Sequence, residues 1–240
     1  AALDYIREQL WQDGRLLATC KDGKAHLNAY LDDHAFLILA IMDLLQTRWN
    51  SDHLHFAISL AEAMLERFAD DDNQGFFFTS HDHEKLIQRY KPWIDETLPA
   101  GNGAAARALQ RLGHLIAETR YLEAADNTLK AGWASLERIP YAHGSLLCAL
   151  LDHLDPPVQV ILRGPAEEIR TWKREIHAPG LQPERRVYAI PDHETGLPGF
   201  LKDQGQNGQA SAQICVGDRC LTPVSDLETL LESLKTYKAG

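Results

Sequence analysis

Asp32, Asp33 and His34 stand side by side where a long apolar segment begins. Adjacent carboxyl groups and an imidazole can act as general acid and base if something aims them at one substrate. They also have a plainer use, because Asp is favoured at helix N-caps and in first turns. Asp95, followed by Glu96, precedes a second apolar segment in the same way. A glycosidase needs two carboxyl groups about 5 to 9 Å apart across the scissile bond. Asp32 or Asp33 with Asp95 is the pair that could meet that requirement. A sugar epimerase instead needs an acid and a base on opposite faces of the ring, and His34 or His143 could serve. The alternative for all of these is an ordinary solvated acidic rim.

Other residues could bind rather than react. Phe76, Phe77 and Phe78 offer a face to a sugar ring, with Phe77 the candidate contact, or else they plug the interior. Arg89 and Lys91 could hold a carboxylate or phosphate, or form solvated salt bridges. Gly101-Asn102 reads as a turn and helix cap, with Asn102 a candidate to face a pocket. His81-Asp82-His83-Glu84 has metal-ligating residue types. However, two His two apart face opposite ways in an extended chain, and zinc wants three or four converging ligands. It reads as a solvated loop, and no metal or cofactor is expected. Gly164-Pro165 is a lone glycine before a helix and reads as a strand-to-helix turn rather than a phosphate loop.

The elements that must position these residues are helical hairpins recurring about every 60 residues, far from the period of about 34 in tetratricopeptide arrays. Asp33 to Trp49 is apolar almost all round, so it should be an inner helix covered on every side. Asp52 to Phe68 carries Phe56, Leu60, Met64 and Phe68 on one face and suits an outer layer. Ala104 to Ile116 reads as inner, Tyr121 to Leu136 as outer, and Ser145 to Leu151 as inner again. Ala2 to Trp11 looks like an outer helix. Inner-to-outer links are short (Asn50-Ser51, Thr119-Arg120), while Gln12 to Asp32 and Ala69 to Gly101 read as long loops. Short links close a hairpin, so the long loops gather at the other end, beside the starts of the inner helices. The expected architecture is mainly α: a partial α/α toroid of alternating inner and outer helices over residues 1–155.

After Asp155-Pro156-Pro157 the period changes and a small α/β domain is expected over 156–240. Strands are predicted at Val158 to Leu162 and Arg186 to Ile190, with a helix from Pro165 to Ile176 between them. Gln204 to Gln209 reads as a flexible loop, and Asp226 to Tyr237 as a last helix. Ala212 to Thr222 reads as a hairpin turning at Gly217-Asp218, which sets Cys215 opposite Cys220 with Cα atoms about 4.5 Å apart. A disulfide fits that geometry. A reducing cytoplasm, the default location for so few cysteines, favours two thiols.

Net charge is −10 over 240 residues, with 45% hydrophobic content. That charge, without a basic face, argues against nucleic acid and anionic membranes. No segment reads as membrane-spanning or as a signal peptide. The opening Ala1-Ala2, in mid-repeat, reads as the start of a piece of a longer chain.

Three landmarks occur in order: Tyr30-Leu31-Asp32-Asp33-His34-Ala35-Phe36-Leu37, then Gly75-Phe76-Phe77-Phe78-Thr79, then Asp95-Glu96-Thr97-Leu98-Pro99-Ala100-Gly101-Asn102. With the tail Ala212 to Pro223, they resemble the thioredoxin-domain proteins of the spermatogenesis-associated protein 20 type. The resemblance implies a six-hairpin toroid similar to N-acylglucosamine 2-epimerases and several glycosidases. It also implies a thioredoxin-like domain, absent from this chain, that would be its natural partner. Ala100 stands where the family typically has Ser, Glu96 where it has Gly, and His34 where it has Tyr. The function expected is a carbohydrate-binding or carbohydrate-active module acting on a sugar or sugar phosphate. The alternative is a non-catalytic scaffold that docks the thioredoxin-like domain or another protein.

Overall fold

A computed structural model of the chain describes residues 1–84, 87–178, 185–203 and 208–236. The described residues are mainly helical, with two small sheets. In chain order the helices are α1 (Ala2–Tyr5, continued by a π-helical turn over Ile6–Leu10), α2 (Leu31–Thr47), α3 (Ser51–Phe68), α4 (Gly101–Ile116), α5 (Thr119–Arg138), α6 (Gly144–Leu154), α7 (Ala166–Ile176) and α8 (Leu227–Thr236). The strands are β1 (Trp11–Gln12), β2 (Arg15–Lys21), β3 (Lys24–Asn28), β4 (Gln159–Gly164), β5 (Arg186–Pro191), β6 (Ser211–Val216) and β7 (Arg219–Cys220). The chain divides into two compact units. One holds Ala1–Met42, Leu54–Gly113 and Thr119–His153; the other holds Asp43–His53, His114–Glu118 and Leu154–Gly240.

α4, which runs to Gly113 within the first unit, is closely enclosed, with only Arg107 and His114 of its sixteen residues partly exposed. Its small residues explain this, because they let neighbouring backbone come close. A Cβ on Gly103 would lie 2.2 Å from Ser145 Oγ and 2.6 Å from the Leu146 nitrogen. α5 buries one face through Tyr121, Ala125, Thr128, Leu129, Gly132 and Leu136 and turns its charged residues outward, as a one-sided pattern requires.

Two expectations about burial fail here. α2 is not covered all round: Asp33, Ala40, Asp43, Leu44 and Thr47 are exposed along one stripe, Leu44 by 44%. α6, expected inside, buries only Leu146, Ala149 and Asp152 and leaves Leu147, Leu151 and Leu154 exposed by 38%, 62% and 72%. Apolar composition shows that a face prefers cover; whether cover is present depends on neighbours elsewhere in the chain.

The segment from Gln12 to Asp32 is not a loop but an antiparallel meander, β1-β2-β3. Its turns are Asp13-Gly14 (φ 51° and 72°) and Asp22-Gly23 (φ 51° and 74°), the left-handed pairs that tight hairpins demand. Among its described residues, the stretch from Ala69 to Ala100 is irregular apart from a bridge between Ala69 and Phe76.

In the second unit the sheet order is β5-β4-β6-β7. β4 and β5 are parallel and joined through α7, while β6 is antiparallel to β4 and β7 to β6. β4, α7 and β5 form a βαβ unit, extended by the β6–β7 hairpin and followed by α8. The turn into α7, Gly164-Pro165-Ala166, carries no cysteine. β4 is buried at every position, as a central strand flanked on both sides must be. Val160, Leu162, Ile169, Trp172, Leu230 and Leu234 belong to the core.

Cys215 pairs with Cys220 in the expected register, but as a disulfide rather than two thiols, with Cα atoms 4.0 Å apart. The hairpin already brings the two sulfurs together, and compartment alone was a poor guide. Residues 204–207 of the expected flexible loop, and Tyr237 at the end of the expected last helix, lie outside the described residues.

Candidate functional site

Three helices of the first unit start beside one another. A Cβ on Gly101, the first residue of α4, would fall 2.1 Å from Asp32 Oδ1 and 2.9 Å from Leu31 Cδ2 at the start of α2. Two residues on, Gly103 lies against Ser145 and Leu146 at the start of α6. The positive ends of three helix dipoles therefore collect there.

Most of the polar residues at this end are engaged in holding it. Asp33 Oδ2 accepts the Tyr30 N–H at 2.8 Å, closing the first turn of α2 from the third helical position. His34 is 2% exposed; burial holds its imidazole below the ordinary value, and Nδ1 lies 2.8 Å from the Tyr30 carbonyl. Asp95 ties the irregular stretch to two helix starts. Oδ1 accepts the Ala100 N–H at 2.8 Å and the Ser145 hydroxyl at 2.5 Å, and Oδ2 accepts the Ser145 N–H at 2.7 Å. Burial pushes the Asp95 carboxyl up, but the Ser145 and Ala100 donors outweigh it and hold it below the usual range. His143 is fully buried. Its Nδ1 is 2.8 Å from the Ile139 carbonyl, and its Nε2 is hydrogen-bonded with the Ser135 hydroxyl at 2.9 Å.

The expected binding residues hold loops as well. Asn102 is fully buried: Oδ1 accepts the Phe76 N–H, and Nδ2 donates to the carbonyls of Phe76 and Pro92, at 2.8, 2.8 and 3.0 Å. Lys91 is ion-paired with Asp70 and donates to the Gln74 carbonyl at 2.7 Å. Arg89 donates to the Thr79 carbonyl at 2.5 Å, and its guanidinium lies 4.0 Å from the centre of the Phe77 ring. Phe77 thus stacks on cations, and Phe76 is the ring that is buried outright, at 2% exposure.

Asp32 is different. Its carboxyl is half-buried against Gly101, and Oδ1 has no hydrogen-bond partner among the described residues. Burial first, and the charge of Asp33 second, raise its pKa to about 6. Beside it is a feature the sequence reading missed. Tyr30 stacks on Phe78 at 4.6 Å, and Phe78 leans on Tyr90 at 5.8 Å. The Phe78 backbone locks that ladder to the helix start, because its carbonyl accepts the Leu31 N–H at 3.0 Å and its N–H donates to the Tyr90 carbonyl at 2.8 Å. Partial burial, then the charges of Asp32 and of Glu96, raise the Tyr90 phenol, which places that hydroxyl within the field of both carboxylates. Tyr90 carried no sequence signal beyond being an aromatic in a long loop.

A group of three or more His, Cys, Asp and Glu side chains placed to hold a metal does not occur among the described residues. His81-Asp82-His83-Glu84 is instead organised by Asp82, which is ion-paired with both Arg15 and Arg67.

Proteins named spermatogenesis-associated protein 20 are homologues of this chain across most of its length, as the ordered landmarks implied. The human protein is 24% identical over 228 residues, 89% of this chain and 29% of its own length. The rat protein is 22% identical over 230 residues, covering 89% and 29%. An uncharacterised Caenorhabditis elegans protein is 23% identical over 220 residues, covering 90% and 30%. The chain therefore spans less than a third of the length of these curated relatives. No protein-family model matches it. Among solved structures, a selenomethionine derivative of a GH76 alpha-mannanase from Bacteroides thetaiotaomicron aligns with a TM-score of 0.47 at 15% identity, over 79% of this chain and 54% of that one.

Proposed function

We propose that the chain carries a carbohydrate-binding or carbohydrate-active module of six-hairpin glycosidase or epimerase type. In this reading residues 1–155 form part of an α/α toroid and 156–240 a small α/β domain. The site lies at the N-terminal ends of α2, α4 and α6. The observation that carries the reading is Asp32: a half-buried carboxyl with an unpartnered oxygen and a pKa near 6, beside an aromatic ladder at the shared helix starts.

The chemistry follows from the environment of each group. An acid with a pKa near neutrality can both hold and release a proton at the working pH. Asp32 would give its proton to the oxygen of a glycosidic bond or sugar hydroxyl, while Tyr30, Phe78 and Tyr90 offer apolar faces to the ring. Glu96, exposed and acting on the same Tyr90 hydroxyl, is the second carboxylate in place of Asp95. Asp33, His34, Asp95, Asn102 and His143 act as positioning residues, and Phe77, Arg89 and Lys91 hold the loop. The partners would be a sugar or sugar phosphate and a thioredoxin-like domain, in the cytoplasm.

One observation favours a second reading, a scaffold that docks a protein. The stripe Leu147, Leu151 and Leu154 on α6 is apolar and exposed, which suits a partner surface rather than a catalytic rim. A binding screen with mono- and oligosaccharides, on wild type and on Asp32→Asn and Tyr90→Phe variants, separates the two. The carbohydrate reading expects saturable binding by wild type that weakens in both variants. A folded wild type that binds none of the sugars supports the scaffold.

A further inference from the structure

The second unit contains a cavity of about 320 Å³ that the reading above does not use. Its walls come from α7, the end of β5 with the residues after it, and the Thr47–Asn50 turn. Ala166, Ala189 and Pro191 place it at the carboxyl ends of the two parallel strands. In open α/β sheets that is where ligands bind, since the loops diverge there and leave a crevice. The volume lies at the small end of the range for ligand pockets.

The lining is cationic in a chain whose net charge is −10. Arg48, Arg170 and Lys173 all line it, with His193 beside them. Glu194, the one carboxylate among the described lining residues, is engaged: it accepts both the N–H and the hydroxyl of Ser51 and so caps α3. Lys173 is half-buried with its ammonium on the carbonyls of Gln46 and Thr47, and has no carboxylate partner among the described residues. Burial accordingly pushes its pKa down. Among the described residues Arg170 is ion-paired with Glu167, across one turn of helix at 2.8 Å, a surface pair that is easily exchanged. Two guanidinium groups and an ammonium around a small crevice match the several acceptor oxygens of a phosphate better than a neutral sugar.

We propose that this cavity is a binding site for the phosphate group of a small phosphorylated molecule, separate from the Asp32 region. Arg48 and Arg170 grip the phosphate, and Lys173 supplies fixed positive charge at the back. The proposal does not depend on the carbohydrate reading.

The test is calorimetric titration of the full chain with inorganic phosphate, with a hexose 6-phosphate and with the corresponding free hexose. Amide chemical shifts are followed in parallel. Wild type should bind both phosphates saturably and in competition, with shifts centred on Ala166 to Arg170 and His193. The Arg48→Ala and Arg170→Ala changes are at exposed positions, and each should weaken binding about tenfold, the scale of one charge-assisted contact. The Asp32→Asn variant should bind phosphate as wild type does, which separates failure here from failure of the carbohydrate reading. Tighter binding of the ester than of free phosphate makes the phosphorylated molecule the ligand. Equal binding makes it phosphate itself, and overturns the small-molecule part of the claim. Linear, non-saturating heats, or undiminished affinity in the Arg48→Ala/Arg170→Ala double variant, would overturn the site altogether.

Discussion

Asp32 and Gly101 touch where two helices begin: a Cβ on Gly101 would sit 2.1 Å from Asp32 Oδ1. The missing side chain of Gly101 is the room in which the half-buried Asp32 carboxyl is held, its Oδ1 without a hydrogen-bond partner among the described residues. The same contact ties α2 to α4.

Replacing Gly101 with Ala should therefore evict the Asp32 carboxyl. The clash is with the end of a side chain, so the fold should survive at a cost of about 1 to 3 kcal/mol, the range for overpacking. Thermal unfolding would show the loss. The pKa of residue 32 should fall toward the ordinary carboxylate value as the group moves into solvent.

Asn102 should matter to stability far more than to sugar contact. Its amide satisfies the Phe76 N–H and two carbonyls in a fully buried setting. Asn102→Ala leaves those groups unpaired and should cost on the order of 3 kcal/mol by urea denaturation. Asn102→Asp should be little better, because it keeps the acceptor and loses both donors. An Ala variant as stable as wild type would remove the clamp from the account.

Asp95→Asn is a poor probe of catalysis for a related reason. Each Asp95 oxygen faces an N–H donor, from Ala100 on one side and Ser145 on the other. Either orientation of an amide sets its NH2 against one of them. A loss of roughly 1 to 3 kcal/mol is expected, with α6 fraying first in hydrogen exchange.

These roles mark how far residue types can be read. The helices were legible because apolar spacing and caps are local signals, and Cys215 opposite Cys220 followed from one turn. The meander over residues 11–28 replaces the expected loop, and Asp13-Gly14 and Asp22-Gly23 are its direct hairpin signals. At the candidate site, residue type alone could not rank the members. Asp32, Asp33 and Asp95 are chemically alike, and only the donors around each one separate a cap from an unpartnered acid. Tyr90 is brought near the start of α2 through Phe78, which no local pattern encodes. The exposure of Leu151 and Leu154 was equally invisible, since it depends on what is packed nearby.

Asp32→Asn should change stability in a pH-dependent way. The folded pKa of Asp32, about 6, lies above its unshifted value of 3.8. Folding then favours the protonated form, so this group's contribution is complete below pH 3.8 and is lost as pH rises through 6. The neutral Asn should thus make the protein more stable than wild type near pH 8 and leave it little changed near pH 4. Solvent reaches part of the carboxyl, so the gain should be on the order of 1 kcal/mol. Paired unfolding curves at the two pH values give the comparison, and a variant that loses stability at pH 8 would contradict the burial argument.

The most direct test of the central claim is a carbon-detected NMR titration of the Asp32 side-chain carboxyl in the folded chain, assigned against Asp32→Asn. A midpoint at about 6 is expected, together with a titration of Asp95 below the usual carboxylate range. A midpoint for Asp32 at or below about 4, the value of a solvated aspartate, would mean that no poised acid exists at the shared helix starts.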